Sequence, residues 1–282
     1  MKKILTEFLL VSLITFGCAS SRPEKLAQDS GAGPKTPVSV SQEIEVGQKI
    51  HAAILSTFPV CSDSKLTDYV NQVGLSVAAH AKRRNLPYQF TVLYDEKIYA
   101  TSAPGGYVYI TTGMINFLQN EAELAAVLAH EIGELQYRDP RLSQTLQIMD
   151  SVTQVGVNVA PAFGQLGSLA ALGLVLMSIA AGAQGKPIEE RLKDADERAL
   201  GYLVEAGYDP QGYLDVIHRF LSAKGDVIPV FYDYYQSRPI SEDRFRNIQK
   251  KFDRLPLQGK IFSTRYDVFQ ENTKGIRPIE QV

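Results

Sequence analysis

Apolar positions fall into a periodic pattern from Glu43 onward. Glu43 to Leu55 has helical spacing. Leu66 to Ala81 is plainer, because Leu66, Tyr69, Val70, Val73 and Val77 recur at i, i+3 and i+4. "YQFTVLY" (Tyr88 to Tyr94) predicts a strand. Ile98 to Ala103 and Tyr107 to Thr111 predict two more, joined by a Pro104-Gly105-Gly106 turn. Asn120 is a good N-cap, and Glu123, three residues on, completes a box-like helix start. The helix that follows is predicted over Glu121 to about Tyr137, with Leu124, Leu128, Ile132 and Leu135 as its core stripe. At about 100° per residue, His130 and Glu134 share a second stripe with Glu131 between them, so side chains at 130 and 134 converge on one point.

Ser151 to Gly185 carries no charged residue. Its most apolar part, Leu166 to Ala183, is long enough to raise a membrane span, but Pro161 and several glycines interrupt the run. A buried or interfacial helical hairpin is the expected form. Glu190 to Glu205 is helical again and closes on Gly207. Asp209-Pro210 then starts another helix, and Arg238-Pro239 precedes a last charged one, about Glu242 to Leu255. No internal repeat is present. This order predicts an α+β fold, with helices packed on a small antiparallel sheet.

Composition narrows the field. Of 282 residues, 45% are hydrophobic, enough for a sizeable core and against global disorder. The net charge of −2, without a long basic run, argues against nucleic-acid binding. Met1-Lys2-Lys3 followed by an apolar stretch to Gly17-Cys18 predicts an export signal over 1–17. A Cys after a small residue looks like a bacterial lipobox, although Thr15 stands where that box usually has Leu. On this reading Cys18 is the lipidated first residue, 18–42 is a Ser/Pro/Gly-rich tether, the folded domain covers 43–270 and 271–282 is a tail. Simple secretion or a retained anchor are the alternatives. The remaining cysteine, Cys61, is expected to be a buried small residue, and two cysteines are too few for a thiolate zinc site.

Several blocks together resemble the zinc metallopeptidases of peptidase family M48, the HtpX and CAAX-prenyl-protease kind, closest to its periplasmic lipoprotein branch. They are "EIEVGQKI", "LTDYVNQVG", "SAPGGYVYITTGMINFLQNEAELAAVLAHEIGE", "DADERALGYLVEAGYDP" and "RPISEDRF", in the family's order over about Glu43 to Val268. The resemblance implies a gluzincin-like fold, peptide hydrolysis and a location facing the bacterial envelope. It implies zinc held by two His of one helix and a Glu of a second, with the Glu inside H-E-x-x-H as general base. It also implies that Tyr99, Ala100, Thr101, Ser102 and Ala103 form an edge strand that pairs with an extended peptide.

Set against that pattern, His130 matches the first ligand and Glu131 the general base. Glu134 replaces the second His. The family's E-x-x-x-D reads Leu192 to Asp196 here, so the ligand position carries Leu192. Glu189, one turn earlier, or Asp196 is the candidate third ligand if a site survives. The downstream "H-P" reads Arg238-Pro239, and Arg has no lone pair to give a metal. A Glu134–Arg238 ion pair beside Leu192 is therefore expected where zinc would sit. Arg244 is an alternative partner for Glu131 or Glu134. The favoured function is an envelope-tethered pseudopeptidase without metal, which binds extended or misfolded polypeptides, with an outer-membrane assembly machine as a candidate partner. The competing function is an active zinc-dependent endopeptidase of periplasmic quality control. A third is a structural partner whose uncharged 151–185 segment packs on membrane or protein.

Overall fold

The computed structural model describes residues 39–136, 188–223, 239–257 and 262–276. Cys18 and the N-terminal segments, the 151–185 run and Arg238 lie outside the described residues. All described residues belong to one compact unit, Thr36–Val282. In chain order they form α1 (Val40–Thr57), α2 (Ser64–Ala78), β1 (Gln89–Leu93), β2 (Ala100–Ala103), β3 (Tyr107–Thr111), α3 (Thr112–Phe117), α4 (Glu121–Glu134), α5 (Ile188–Ala206), α6 (Gln211–Ala223), α7 (Glu242–Phe252) and α8 (Tyr266–Thr273). No helix among them is long and apolar enough to cross a membrane.

Helix α1 starts at Val40 because Ser39 and Gln42 form a complete capping box, so the chain turns helical inside the stretch read as tether. The boundary drawn at 270 likewise falls inside α8, which packs on α2. Helices α3 and α8 are too short to show a periodic stripe, so neither is legible in the residue pattern.

The sheet is mixed rather than antiparallel. Its strand order is β1-β3-β2, with β3 parallel to β1 and antiparallel to β2. The reason lies in the two connections. Pro104–Gly106 is a tight link, with Gly105 and Gly106 at φ 83° and 99°, and it folds β3 directly back along β2. The stretch from Tyr94 to Tyr99 is too long for a tight hairpin. It carries the chain across two strand spacings, roughly 10 Å, and leaves the central place for β3.

The two outer edges differ. The edge of β1 is closed: the Asn71 side chain donates to the Phe90 carbonyl at 2.8 Å and accepts from the Phe90 N–H at 3.2 Å. Further along, Val60 bridges Leu93, Cys61 N–H donates to Val92 O, and Tyr94 N–H donates to Pro59 O. On β2, Thr111 N–H donates to Tyr99 O, so Tyr99, Thr101 and Ala103 aim their backbone groups at β3. Ala100 and Ser102 therefore aim theirs outward, and no strand among the described residues pairs with them.

Helix α4 is the centre of the fold. All of Glu121 to Gly133 is buried, charged residues included. Such a helix persists only if each buried charge finds a partner. Asn120 caps its first turn. Glu121 accepts from the hydroxyls of Tyr69 and Tyr208, each at 2.9 Å, and from Arg265 at 3.0 Å. Glu123 takes both arms of Arg219 at 2.7 Å and the Gln119 N–H at 2.8 Å. Both acids also sit where the helix dipole favours negative charge. At the other end Arg83 donates to the Leu135 carbonyl at 2.8 Å while pairing with Glu43 of α1. The helix is thus tied at both ends, which fixes the residues of its last turns.

Candidate functional site

His130, Glu131 and Glu134 project from the end of α4. One ligand atom from each can be chosen so that all lie within 4.8 Å of one another, and no other such group of metal-ligating side chains occurs among the described residues. The i, i+4 spacing that the sequence shows is what brings 130 and 134 together, with His130 Nε2 3.7 Å from Glu134 Oε1.

Two glycines bring the surrounding helices in. A Cβ on Gly133 would lie 2.8 Å from the Ala195 carbonyl oxygen, so α5 crosses α4 in direct backbone contact. A Cβ on Gly212 would lie 2.9 Å from the Ala122 carbonyl carbon, so α6 does the same near the start of α4. The first crossing delivers Asp196, and the second delivers Tyr213, to the far side of the His130 ring.

Asp196 lies with Oδ1 3.0 Å from His130 Nδ1. The same carboxylate accepts from Arg244 Nε at 3.0 Å and Nη2 at 2.8 Å, and from the Tyr213 hydroxyl at 2.5 Å. Tyr213 Oη is itself 2.8 Å from His130 Nδ1. All four residues are buried. Burial pushes the Asp196 carboxyl up. The Arg244 guanidinium and the His130 ring outweigh that and hold it well below the usual carboxylate range.

These contacts settle the tautomer of His130. A carboxylate and a phenol that already donates its proton to that carboxylate can only accept from Nδ1, so Nδ1 carries the hydrogen. Nε2, the other ring nitrogen, is buried, makes no hydrogen bond, and faces the Glu131–Glu134 side.

Several expectations change here. Asp196 is committed to Nδ1 and Arg244, on the side of the ring away from the cluster, so it is not the third ligand. Glu189 is exposed and stands outside the cluster. Arg244 places Nε and Nη2 on Asp196. Leu192 is 2% exposed. It lies one turn before Asp196 on the same face of α5. Tyr213 was missed, since an aromatic on an apolar helix face reads as core. The pairing of Glu134 with Arg238 lies outside the described residues.

The remaining histidines are all accounted for. His51 bonds Tyr109 at 2.9 Å and stacks on Tyr107, His80 lies beside Glu205, and His218 packs on Phe245. None joins the cluster. Among the described donors, each assignment of Glu131 leaves one role unfilled. If Glu131 is the general base, His130 and Glu134 alone remain as ligands. If Glu131 is a ligand, no base remains. A second anion in place of an imidazole would also reduce the charge with which a metal acidifies water.

A helix-rich α+β domain with H-E-x-x-E on a buried central helix defines a metallopeptidase scaffold. The profile of Peptidase family M48 matches residues 64–251, and the chain belongs to that family. It is 27% identical over 200 residues to the beta-barrel assembly-enhancing protease of Escherichia coli K12, covering 68% of this chain and 40% of that protein. The putative beta-barrel assembly-enhancing protease of Vibrio cholerae is 26% identical over 272 residues, 91% of this chain and 54% of its own length. The mitochondrial metalloendopeptidase OMA1 of Arabidopsis thaliana is 22% identical over 204 residues. The chain spans about half or less of the length of these relatives.

Proposed function

We propose that this chain is a pseudopeptidase: an envelope-tethered M48 domain that binds extended or misfolded polypeptides and does not cut them. The observation that carries the reading is the double demand on Glu131, which cannot serve as ligand and base at once, while the buried Leu192 holds the position of the family's second-helix ligand. The reading includes Arg238 as the cation that balances Glu134, and Cys18 as the lipid anchor on the periplasmic side of the outer membrane. The outward backbone groups of Ser102, the one partly exposed residue of β2, supply the docking edge, where main-chain hydrogen bonds hold a strand with little sequence preference. The assembly of β-barrels, for which the bacterial relatives are named, supplies one class of extended client.

The deciding experiment is metal analysis of the purified full chain, with and without added zinc, alongside binding of reduced unfolded casein with and without chelator. Binding that ignores the chelator, with less than stoichiometric metal, supports the reading. A full equivalent of tightly held zinc overturns it.

The second reading is a zinc-dependent endopeptidase that uses His130, Glu134 and a non-standard third ligand. It draws on the unengaged Nε2 at the cluster. It requires casein cleavage that Glu131→Gln abolishes.

A further inference from the structure

We infer that Glu43 and Arg83 are positioning residues for the docking edge: their ion pair clamps the turn that ends β2 and ties it to the end of α4. The inference rests on the strand-docking reading above and names the residues that hold its edge in place.

Ser102 presents its outward groups to a client only while β2 keeps its line, and the chain leaves β2 through Pro104–Gly106. That turn has little of its own to hold it. Gly105 and Gly106 have φ of 83° and 99°, and neither has a side chain to pack. Helix α1 holds it instead. A Cβ on Gly47 would lie 2.0 Å from the Pro104 carbonyl oxygen, and one on Gly105 would lie 3.0 Å from the Ile44 Cα. Turn and helix therefore meet backbone to backbone. At that contact the Gly105 N–H donates to Glu43 Oε1 at 3.3 Å.

Glu43 is buried, and a buried carboxylate needs a fixed cation. Arg83 supplies it, with Nη1 on Oε1 at 3.0 Å and Nη2 on Oε2. The same Nη1 donates to the Leu135 carbonyl at 2.8 Å, and the Arg83 N–H donates to Gln136 Oε1 at 3.0 Å. One guanidinium thus joins the end of α4 to the first turn of α1 and, through Glu43, to the end of β2. A lysine keeps the charge but not the planar fork that reaches both carboxylate oxygens. The Arg219–Glu123 pair is a built-in comparison. It too places two arms on a buried carboxylate, at 2.7 Å each, and one on a backbone carbonyl, Phe117 O at 3.2 Å. It grips the start of α4 and the end of α3, not the turn after β2.

The test is Arg83→Lys beside Arg219→Lys, each in the full chain. Both should lower the melting temperature. Binding of reduced unfolded casein should weaken in Arg83→Lys alone, by about 3- to 10-fold, the effect of having to order one freed group on docking. Amide exchange at Gly105 to Tyr107 should quicken in that variant alone. Adding Arg83→Lys to Ser102→Pro should weaken binding no further than Ser102→Pro does, because the pair acts through the edge. A folded Arg83→Lys protein with unchanged casein binding, or equal losses in the two lysine variants, overturns the inference and leaves docking at β2 standing. An unchanged chain that binds no casein, or a Ser102→Pro variant that binds it as well, overturns the docking reading and the inference with it.

A second variant guards against unfolding of Arg83→Lys. Glu43→Asp keeps both charges but draws the carboxylate back from the Gly105 N–H by one methylene. It should quicken Gly105 exchange and weaken casein binding in the same way. In the unchanged chain the Gly105 amide should already be protected, and free exchange there ends the inference.

Discussion

Gly133 and Ala195 touch through their backbones: a Cβ on Gly133 would sit 2.8 Å from the Ala195 carbonyl oxygen and 3.2 Å from its Cα. The glycine of H-E-I-G-E is thus a spacing device that lets α5 bring Asp196 to His130. Gly133→Ala is expected to push the helices apart and cost about 1–3 kcal/mol, the usual penalty for overpacking. Urea denaturation measures it. A variant as stable as the unchanged protein would show that the crossing is looser than described.

Asp196 and Arg244 form the buried ion pair behind the site. Arg244→Met should be among the most destabilising single changes, by about 3–5 kcal/mol, because it strands a buried carboxylate. Asp196→Asn with Arg244→Met together should cost less than Arg244→Met alone. A thermodynamic cycle over the variants tests this, and simple additivity would refute it.

The same pair predicts a pH dependence. The Asp196 carboxyl is held below the range of an unfolded aspartate by Arg244 and His130, against the upward push of burial. Its contribution is therefore fully present above the unfolded value, about 3.9, and fades as pH falls toward the folded value. The stability gap between the unchanged chain and Asp196→Asn should stay constant from pH 7 to about 5 and narrow below about 4. A gap that widens on acidification would contradict the assignment.

The outer edge of β2, where Ser102 is partly exposed, makes a prediction about binding. Ser102 aims its N–H outward, so Ser102→Pro should remove a docking donor without breaking the ladder to β3. Casein binding should fall severalfold while the fold persists. Thr101→Pro, whose N–H faces β3, should instead lower the melting temperature sharply. Equal effects of the two changes on binding and on melting would argue against docking at this edge.

Much of this arrangement was legible in the chain, for physical reasons that differ by element. The cap at Asn120, the stripe on α4 and the convergence of His130 with Glu134 follow from local helix geometry, and the structure has all three. The central place of β3 was not legible, because strand order depends on how far a connection travels. Nor was the division of labour around His130. Sequence marks Asp196 as a carboxylate near the site. Which ring nitrogen it meets depends on the side from which α5 arrives, and Gly133 sets that. Tyr213 left a faint trace in Gly212-Tyr213, a small residue beside an aromatic at the start of a helix. Only the α6–α4 contact gives the pair meaning.

Asn71 is a side chain placed where a neighbouring strand would be, its amide filling both hydrogen-bonding positions of Phe90. Together with the 59–61 segment it closes β1, so two copies of the domain cannot zip together along that edge. For the tethered, strand-binding protein proposed above, that is a safeguard against becoming the seed of the aggregates it would otherwise meet.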